Sequence, residues 1–500
     1  MYILRIMTYI IFIIIIILLI VVFSKKYDSH ENFVPVELLT DYKYLKQNKI
    51  LMKKFHDLCD ENDLTYWIIG GTMLGAIRDK GIIPWDDDLD VSMPEVDVNE
   101  LFDIKQKLTD QKLGIAEWFG GYKVYDLNGS EIKGVNYKYP FIDIFVMTKN
   151  KNGNYIYKYK RAYELWPDEY QMSDVFPLKK YQFEDYEVYG MNNSIKFLDE
   201  HYTGWKNKGQ RYYDHINQKA SKKTEFSIDY NVNKKPYLWI YWDNIDGKST
   251  PAYIDLCYDS ITKNCSDSFD IVKLNKDNIK KYLPELSEYD KYFEKLRIAH
   301  KVDIYRIMLL YKYGGLYIDA DTIVLRDPIE IMNKLKKYEF VGFGCTGDKC
   351  RYGYKIPSNG IMASRPNSIL MGKVMMILID RIKKLYDENQ YDKVQYFDLG
   401  KLIIWDEIDS LIAKSDYEYY HYPNRFDGTR DVNGKWVTAS IIFSNQQIEY
   451  EKEDQMIFLV LYNSEISKDV KEMTRSQLMN KQWNFSKYMK IALKSNDLVF

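Results

Sequence analysis

The chain has 500 residues, 46% of them hydrophobic and 28% charged, which supplies apolar material for two or three core-bearing domains and excludes a disordered chain. Its 70 basic and 72 acidic side chains are spread along the sequence and leave a formal charge of −2, so there is no basic stripe to hold nucleic acid. Partners must therefore be recognised at local sites.

Ile6 to Phe23 is an uncharged run of 18 residues, about the length that crosses a bilayer core. No small-residue cleavage site follows it, because Ser24-Lys25-Lys26-Tyr27 continues into polar sequence. Residues 1–24 are expected to be a single-pass membrane anchor rather than a cleaved signal, with the catalytic domains on the lumenal or extracytoplasmic side and the membrane as a partner. Arg5 on one flank and Lys25 and Lys26 on the other leave the orientation open. Residues 25–45 read as a tether.

A first α/β domain is expected over residues 46–214. Leu51, Phe55 and Leu58 recur at helical spacing, Tyr66-Trp67-Ile68-Ile69 reads as a strand, Leu101, Ile104 and Leu108 share a helix face, and Phe141-Ile142-Asp143-Ile144-Phe145 reads as a buried strand. Residues 215–236 turn polar and basic with little periodicity, which marks a linker. A second α/β domain over 237–500 opens with the strand pattern Tyr237 to Trp242, and a long helix up to Tyr313 ends at Gly314-Gly315. Of five cysteines, Cys345 and Cys350 bracket a turn-like tetrapeptide, where either a small disulfide loop or reduced thiols would serve; no spacing suggests structural zinc.

Two acidic constellations carry the chemistry. In the first domain Gly70-Gly71-Thr72 follows a strand, where small residues let backbone approach a phosphate, and Pro84-Trp85-Asp86-Asp87-Asp88-Leu89-Asp90-Val91 comes shortly after. Asp88 and Asp90, two apart, project to one side of a strand. Like charges so placed repel unless a cation cancels them, and hard oxygen ligands suit magnesium or manganese. A solvated acidic loop is the competing reading, opposed by the apolar residues that frame the run. Asp143 adds a carboxylate inside an apolar strand. In the second domain Asp303 and Arg306 share a helix face, and Asp319-Ala320-Asp321 follows an apolar strand, where such carboxylates can hold a metal that bridges a nucleotide diphosphate. Asp303 with Arg306 also reads as an ordinary helical ion pair.

The segments Gly70 to Gly75, Arg78, Gly81, Ile83 to Asp90, Pro140 to Phe145, Phe176 to Lys179 and His201 to Trp205 resemble the LicD/fukutin family, over about Lys46 to Tyr213. The resemblance implies a nucleotidyltransferase-like fold and transfer of a phosphorylated alcohol from a cytidine-diphosphate donor to a sugar. It places Asp88, Asp90 and Asp143 on the metal, Asp86 beside it as ligand or base, and Gly70, Gly71, Thr72 and Arg78 at the donor. Asp303 to Arg306, Leu309 to Tyr311, Tyr313 to Asp321, Trp239 to Trp242 and Asn359 to Ala363 resemble the DXD-containing glycosyltransferases and related capsular polysaccharide synthesis proteins, over about Pro236 to Tyr422. That implies a GT-A fold, with Asp319 and Asp321 on metal and nucleotide-sugar, Asp303 and Arg306 on the donor sugar, and Trp242 stacked on the nucleobase, core packing being the other role for Trp242. The family's late motif is not evident in Gln455 to Tyr462.

The expected protein is thus a metal-dependent, bifunctional glycan-modifying transferase with a nucleotide-sugar donor, a CDP-alcohol donor and a glycan acceptor. A glycosyltransferase with a vestigial first domain and a non-catalytic glycan-binding scaffold are the alternatives.

Overall fold

The computed structural model describes residues 34–216, 219–228, 235–244, 248–345 and 356–494. The fold is mixed α/β. Helix α1 (Tyr42–Glu61) starts at Asp41, whose carboxylate accepts the Lys43 N–H at 2.9 Å, and buries Leu51, Met52, Phe55, Leu58 and Cys59 at helical spacing. After β1 (Trp67–Ile68) comes α2 (Gly70–Arg78), then β2 (Leu89–Pro94), β3 (Leu113–Trp118), β4 (Gly121–Glu131), β5 (Lys138–Lys149), β6 (Tyr155–Tyr157), β7 (Lys179–Phe183) and β8 (Tyr186–Gly190). These strands make one mixed sheet in the order β3-β4-β5-β2-β1-β8-β7, with β6 on β5.

Register across the middle of this sheet positions the first acidic centre. Parallel β2 and β5 set Asp90 opposite Asp143, and antiparallel β4 sets Lys123 opposite the same Asp143. Residues opposed across neighbouring strands share a face, so Lys123, Asp143 and Asp90 form one row. Residues 208–227, largely inside the segment read as a linker, include an antiparallel pair, β9 (Lys208–Asp214) and β10 (Lys219–Ser227). Phe226 on β10 meets Trp85 edge to face at 4.9 Å and so fastens this pair over the acidic run.

The second half has β11 (Tyr237–Tyr241), α3 (Ala252–Cys265), β12 (Asp270–Leu274), α4 (Ile298–Tyr313), β13 (Gly315–Ile318), β14 (Thr322–Val324), β15 (Phe340–Cys345), β16 (Ile356–Ser364), α5 (Ile369–Asp387), α6 (Lys401–Ser415), β17 (Tyr420–Pro423), β18 (Phe458–Val460) and α7 (Asn484–Lys494). The main sheet has the order β12-β11-β13-β16-β15-β17, and β14 pairs with β18. Leu238 and Ile240 enter the core on one face while Trp239 and Tyr241 enter that on the other, as expected of a strand covered on both sides. β11 lies between β12 and β13, both parallel to it, so the chain reverses direction across the sheet here. Ligands in such sheets bind beyond the carboxyl ends of the strands at that reversal, where Asp319 and Trp242 emerge.

The halves meet along α1. Tyr42 belongs to the second half's core, edge to face with Tyr417 at 4.6 Å, and Tyr311 donates its hydroxyl to the Val34 carbonyl at 2.6 Å. Arg365 pairs with Glu184 at 2.7 Å, and the other Glu184 oxygen accepts the Ile82 N–H at 3.1 Å.

The transmembrane helix and single-pass membrane placement are corrected. Among the described residues no helix is long and apolar enough to cross a membrane, and residues 1–24 lie outside them. The two longest helices, α1 with 20 residues and α5 with 19, carry Lys, Arg, Asp or Glu along their length. Cys350 also lies outside the described residues, and Cys59, Cys257 and Cys265 are free and buried.

Gly315 has φ +97°, and a β-carbon there would come within 2.4 Å of the Tyr237 carbonyl oxygen. Gly315→Ala should therefore destabilise the folded chain by about 2–4 kcal/mol, measured by denaturant unfolding; a change under about 0.5 kcal/mol would contradict this packing.

Candidate active sites

The first centre sits where β2 and β5 meet the start of α2. Gly70 has φ +60°, a conformation that favours glycine, and a β-carbon there would lie 2.7 Å from an Asp90 oxygen; one at Gly71 would lie 2.6 Å from an Asp86 oxygen. The two glycines thus let α2 abut both carboxylates. No side chain caps α2, and Thr72 turns its hydroxyl to accept the Asp90 N–H at 2.7 Å. Oxygens of Asp88, Asp90 and Asp143 all lie within 4.8 Å of one another. Burial, then the charges of neighbouring carboxylates, raises the pKa of Asp86 and Asp90 well above the usual carboxylate range. Asp143 is raised by burial, although Lys123 opposes the shift.

Lys123 and His215 supply countercharge. Lys123 is buried, ion-paired with Asp143, and its ammonium lies 3.7 Å from the centre of the Phe141 ring and 4.4 Å from that of Trp118. His215, just after β9, binds Asp87 through Nδ1 at 2.8 Å and Asp88 through Nε2 at 3.1 Å, while its backbone N–H donates to Asp87 at 3.0 Å. Burial works against a charged imidazole, but Asp88, Asp87 and Asp86 outweigh it and push the His215 pKa up to about 10. Asp87 itself is buried and also faces Arg211 at 3.5 Å. Arg78 packs nearby, and its guanidinium binds Asp79 at 2.8 Å and the Trp205 and Lys208 carbonyls at 3.1 and 3.2 Å.

Three converging hard oxygens, from Asp90 and Asp143 on the sheet and from Asp88 just before β2, could hold a metal ion.

The second centre lies beyond β13. Arg306, buried on α4, reaches Asp319 at 3.2 Å and Asp303 at 3.4 Å and donates to the Asn359 carbonyl; Asn359 in turn donates to Asp303 at 2.8 Å. A β-carbon at Gly360 would lie 2.7 Å from an Asp319 oxygen, and Tyr317 donates to Asp319 at 3.3 Å. Asp321 accepts the Asn463 N–H at 2.6 Å, and the Leu461 N–H donates to the Asp321 carbonyl at 2.9 Å. The chain just after β18 thus closes over the acidic pair. Burial, opposed by Arg306, raises Asp303 to about 7; burial and then Asp319 raise Asp321 to about 6. Trp242 is half-buried, packs against the core, and donates its indole N–H to Asn244 at 2.9 Å. Asp319 and Asp321, with Arg306 adjoining, gather fewer carboxylates than the first centre does.

The structure therefore brings Asp86, Asp88, Asp90, Asp143, Gly70, Gly71 and Thr72 together at one centre and Asp303, Arg306, Asp319 and Asp321 at another. Sequence reasoning missed Lys123, His215, Asn359 and Asn463. Lys123 was discoverable as a cation on the apolar face of Gly121-Tyr122-Lys123-Val124, and His215 as one of only six histidines.

Residues 63–193 match the family described as LicD/FKTN/FKRP, nucleotidyltransferase domain, and residues 187–478 match the family described as capsular polysaccharide synthesis protein. The first description is of a nucleotidyltransferase domain, and the chain carries both matched regions. It belongs to the capsular polysaccharide synthesis protein family and carries a LicD-type domain before the matched region. It is similar to an uncharacterized protein of Rickettsia prowazekii, 33% identical over 184 residues covering 36% of this chain and 64% of the relative. It is also similar to the lipopolysaccharide cholinephosphotransferase LicD of Haemophilus influenzae, 33% identical over 105 residues covering 19% of this chain and 40% of that one. The chain thus spans less than two thirds of either relative. Among solved structures it is similar to the apo-form glycosyltransferase GlyE of Streptococcus pneumoniae at 12% identity and a TM-score of 0.26, covering 53% of this chain and 64% of that one, a likeness too loose to carry argument.

In metal-free protein, His215 contributes stability that is fully present below about pH 6.5, its unfolded pKa, and lost as pH rises through its folded pKa of about 10. Chelator-treated wild type should lose on the order of 2 kcal/mol more between those limits than His215→Gln. Parallel denaturant titrations at the two pH values check this, and identical losses would refute it.

Proposed function

We propose that the chain is a bifunctional, divalent-metal-dependent transferase that builds a phosphorylated glycan. The carrying observation is that each half completes its own acidic centre: Asp88, Asp90 and Asp143 on the first sheet, Asp319 and Asp321 beyond the second. In the first half, Asp88, Asp90 and Asp143 would hold magnesium or manganese, which when bound neutralises donor phosphate oxygens. The start of α2, uncapped and opened by Gly70 and Gly71, faces those phosphates. Asp86, raised by burial and facing Asp88, is placed to take the proton of an acceptor hydroxyl as that oxygen bonds to phosphorus and the nucleoside monophosphate leaves. The likeness to a cholinephosphotransferase supports a cytidine-diphosphate alcohol as donor.

In the second half, Asp319 and Asp321 would hold the metal of a nucleotide-sugar. Arg306, fixed by Asp303 and Asn359, keeps positive charge beside Asp319 where the diphosphate leaves. The acceptor oxygen bonds to the anomeric carbon, the nucleoside diphosphate departs with the electron pair, and the hydroxyl proton is released.

Asp90→Asn should lower phosphoryl transfer at least a hundredfold and spare nucleotide-sugar turnover, and Asp321→Asn should do the reverse. Both reactions are assayed on both folded variants with saturating acceptor. Loss of both activities from either one would reject independent centres.

EDTA should abolish both reactions, and either magnesium or manganese should restore them. Full turnover in exhaustively chelated protein would show that the carboxylates work without a cation.

A further inference from the structure

Two chemically similar walls adjoin the second centre. On one wall Gly400 packs so tightly that a β-carbon there would lie 2.7 Å from Asp303 and 2.9 Å from Asn359, which ties the segment before α6 to the site. That segment presents Tyr396 and Phe397, 55% and 46% exposed, edge to face at 5.0 Å. Lys401, the first residue of α6, lays its ammonium over Phe397 at 5.1 Å and Trp405 at 4.7 Å. On the other wall Tyr462 immediately precedes the Asn463 that binds Asp321, and its ring lies 4.9 Å from Trp436. Arg430 covers Trp436 at 4.7 Å and donates to the Gly434 carbonyl at 3.0 Å.

One wall meets the centre at Asp303 and the other at Asp321. Burial and then the Arg430 charge pull the Lys401 ammonium below its usual pKa, and the Tyr396 phenol is raised by burial and by Asp319 and Asp303. Among the described residues neither Lys401 nor Arg430 ion-pairs with a carboxylate, nor does either touch Asp319 or Asp321. Exposed aromatic rings suit the flat apolar sides of sugar rings, and two cations with no carboxylate in ion-pair contact suit an anion, with the buried Asp427 acting on Arg430 through space.

We propose that these walls form the acceptor subsite of the second centre and that it takes a phosphate-bearing glycan, with sugar rings against Tyr396, Phe397 and Trp436 and the phosphate between Lys401 and Arg430. The proposal rests on reading Asp319 and Asp321 as the nucleotide-sugar centre. It also orders the reactions: a phosphodiester on the acceptor is what the first half's transfer would leave, so phosphoryl transfer precedes glycosyl transfer.

Calorimetric titration of the full chain with glucose 6-phosphate and with glucose tests the subsite directly. The phosphate sugar should bind at least tenfold tighter than glucose. Lys401→Met and Arg430→Met, both melting as wild type does, should each abolish that preference, and Lys401→Arg should keep it. If one methionine variant fails to fold, the other, on the other wall, carries the same test. Equal binding of the two sugars, or a preference that survives both substitutions, overturns the proposal. Titration in saturating uridine, guanosine and cytidine diphosphates, each in turn with manganese, assigns the anion site: retained binding of glucose 6-phosphate supports the acceptor subsite, and displacement by a diphosphate assigns the cations to the donor and overturns it. A wild type that fails to turn over any nucleotide-sugar would instead strike the reading of Asp319 and Asp321, a result separable from these titrations.

Discussion

Gathering several carboxylates at the inner end of a sheet is the constraint on which the rest of this molecule depends. Ionised carboxylates in a poorly solvated place repel one another and resist ionisation, as the raised pKa values of Asp86, Asp90 and Asp143 record. The fold answers with cations placed by register and by packing rather than by chance proximity. Lys123 reaches Asp143 because β4 and β5 pair with those two residues opposed, and His215 reaches Asp87 and Asp88 because β9 ends over the acidic run. Trp85 and Phe226 then hold that segment in place.

The second half meets the same constraint differently. One arginine on α4 serves both Asp303 and Asp319, while Asp321 is satisfied by a backbone N–H. Arg306 remains charged at any accessible pH, so the cationic side of its pairing with Asp319 does not depend on protonation state. In the first half the pairing of His215 does depend on it. The two centres therefore differ in how acidity and alkalinity reach them, although both begin from an acidic pair two residues apart.

Much of this was legible because period-two spacing and burial leave marks in a single strand. Asp88 and Asp90 read as one-sided, Asp143 stood out among four apolar neighbours, and Asp319 and Asp321 followed an apolar run opened by two glycines. What stayed hidden were partnerships across distance. Lys123 lies 20 residues from Asp143 and Asn463 lies 142 from Asp321, and nothing in the local pattern of either announces its partner. His215 was obscured for another reason: it stands where polar composition suggests a connector, yet β9 and β10 pair there because their backbone hydrogen bonds need no apolar periodicity. Arg78 shows the converse, a prominent motif residue whose guanidinium is engaged with Asp79 and two carbonyls.

The path of α1 has a consequence for biosynthesis. Its middle and end pack into the first half, but Tyr42 seats against Tyr417, and the Val34 carbonyl accepts a hydrogen bond from Tyr311. A ribosome releases the chain from its amino end, so these early residues emerge hundreds of positions before their docking surface exists. The first sheet has all its strands in hand by Gly190, and Val34, Leu38 and Leu39 pack against that half's core. Val36 and Tyr42 by contrast lack their packing partners until α4, α5 and the Tyr417 region have been made, so part of the seam between the halves forms only late in synthesis.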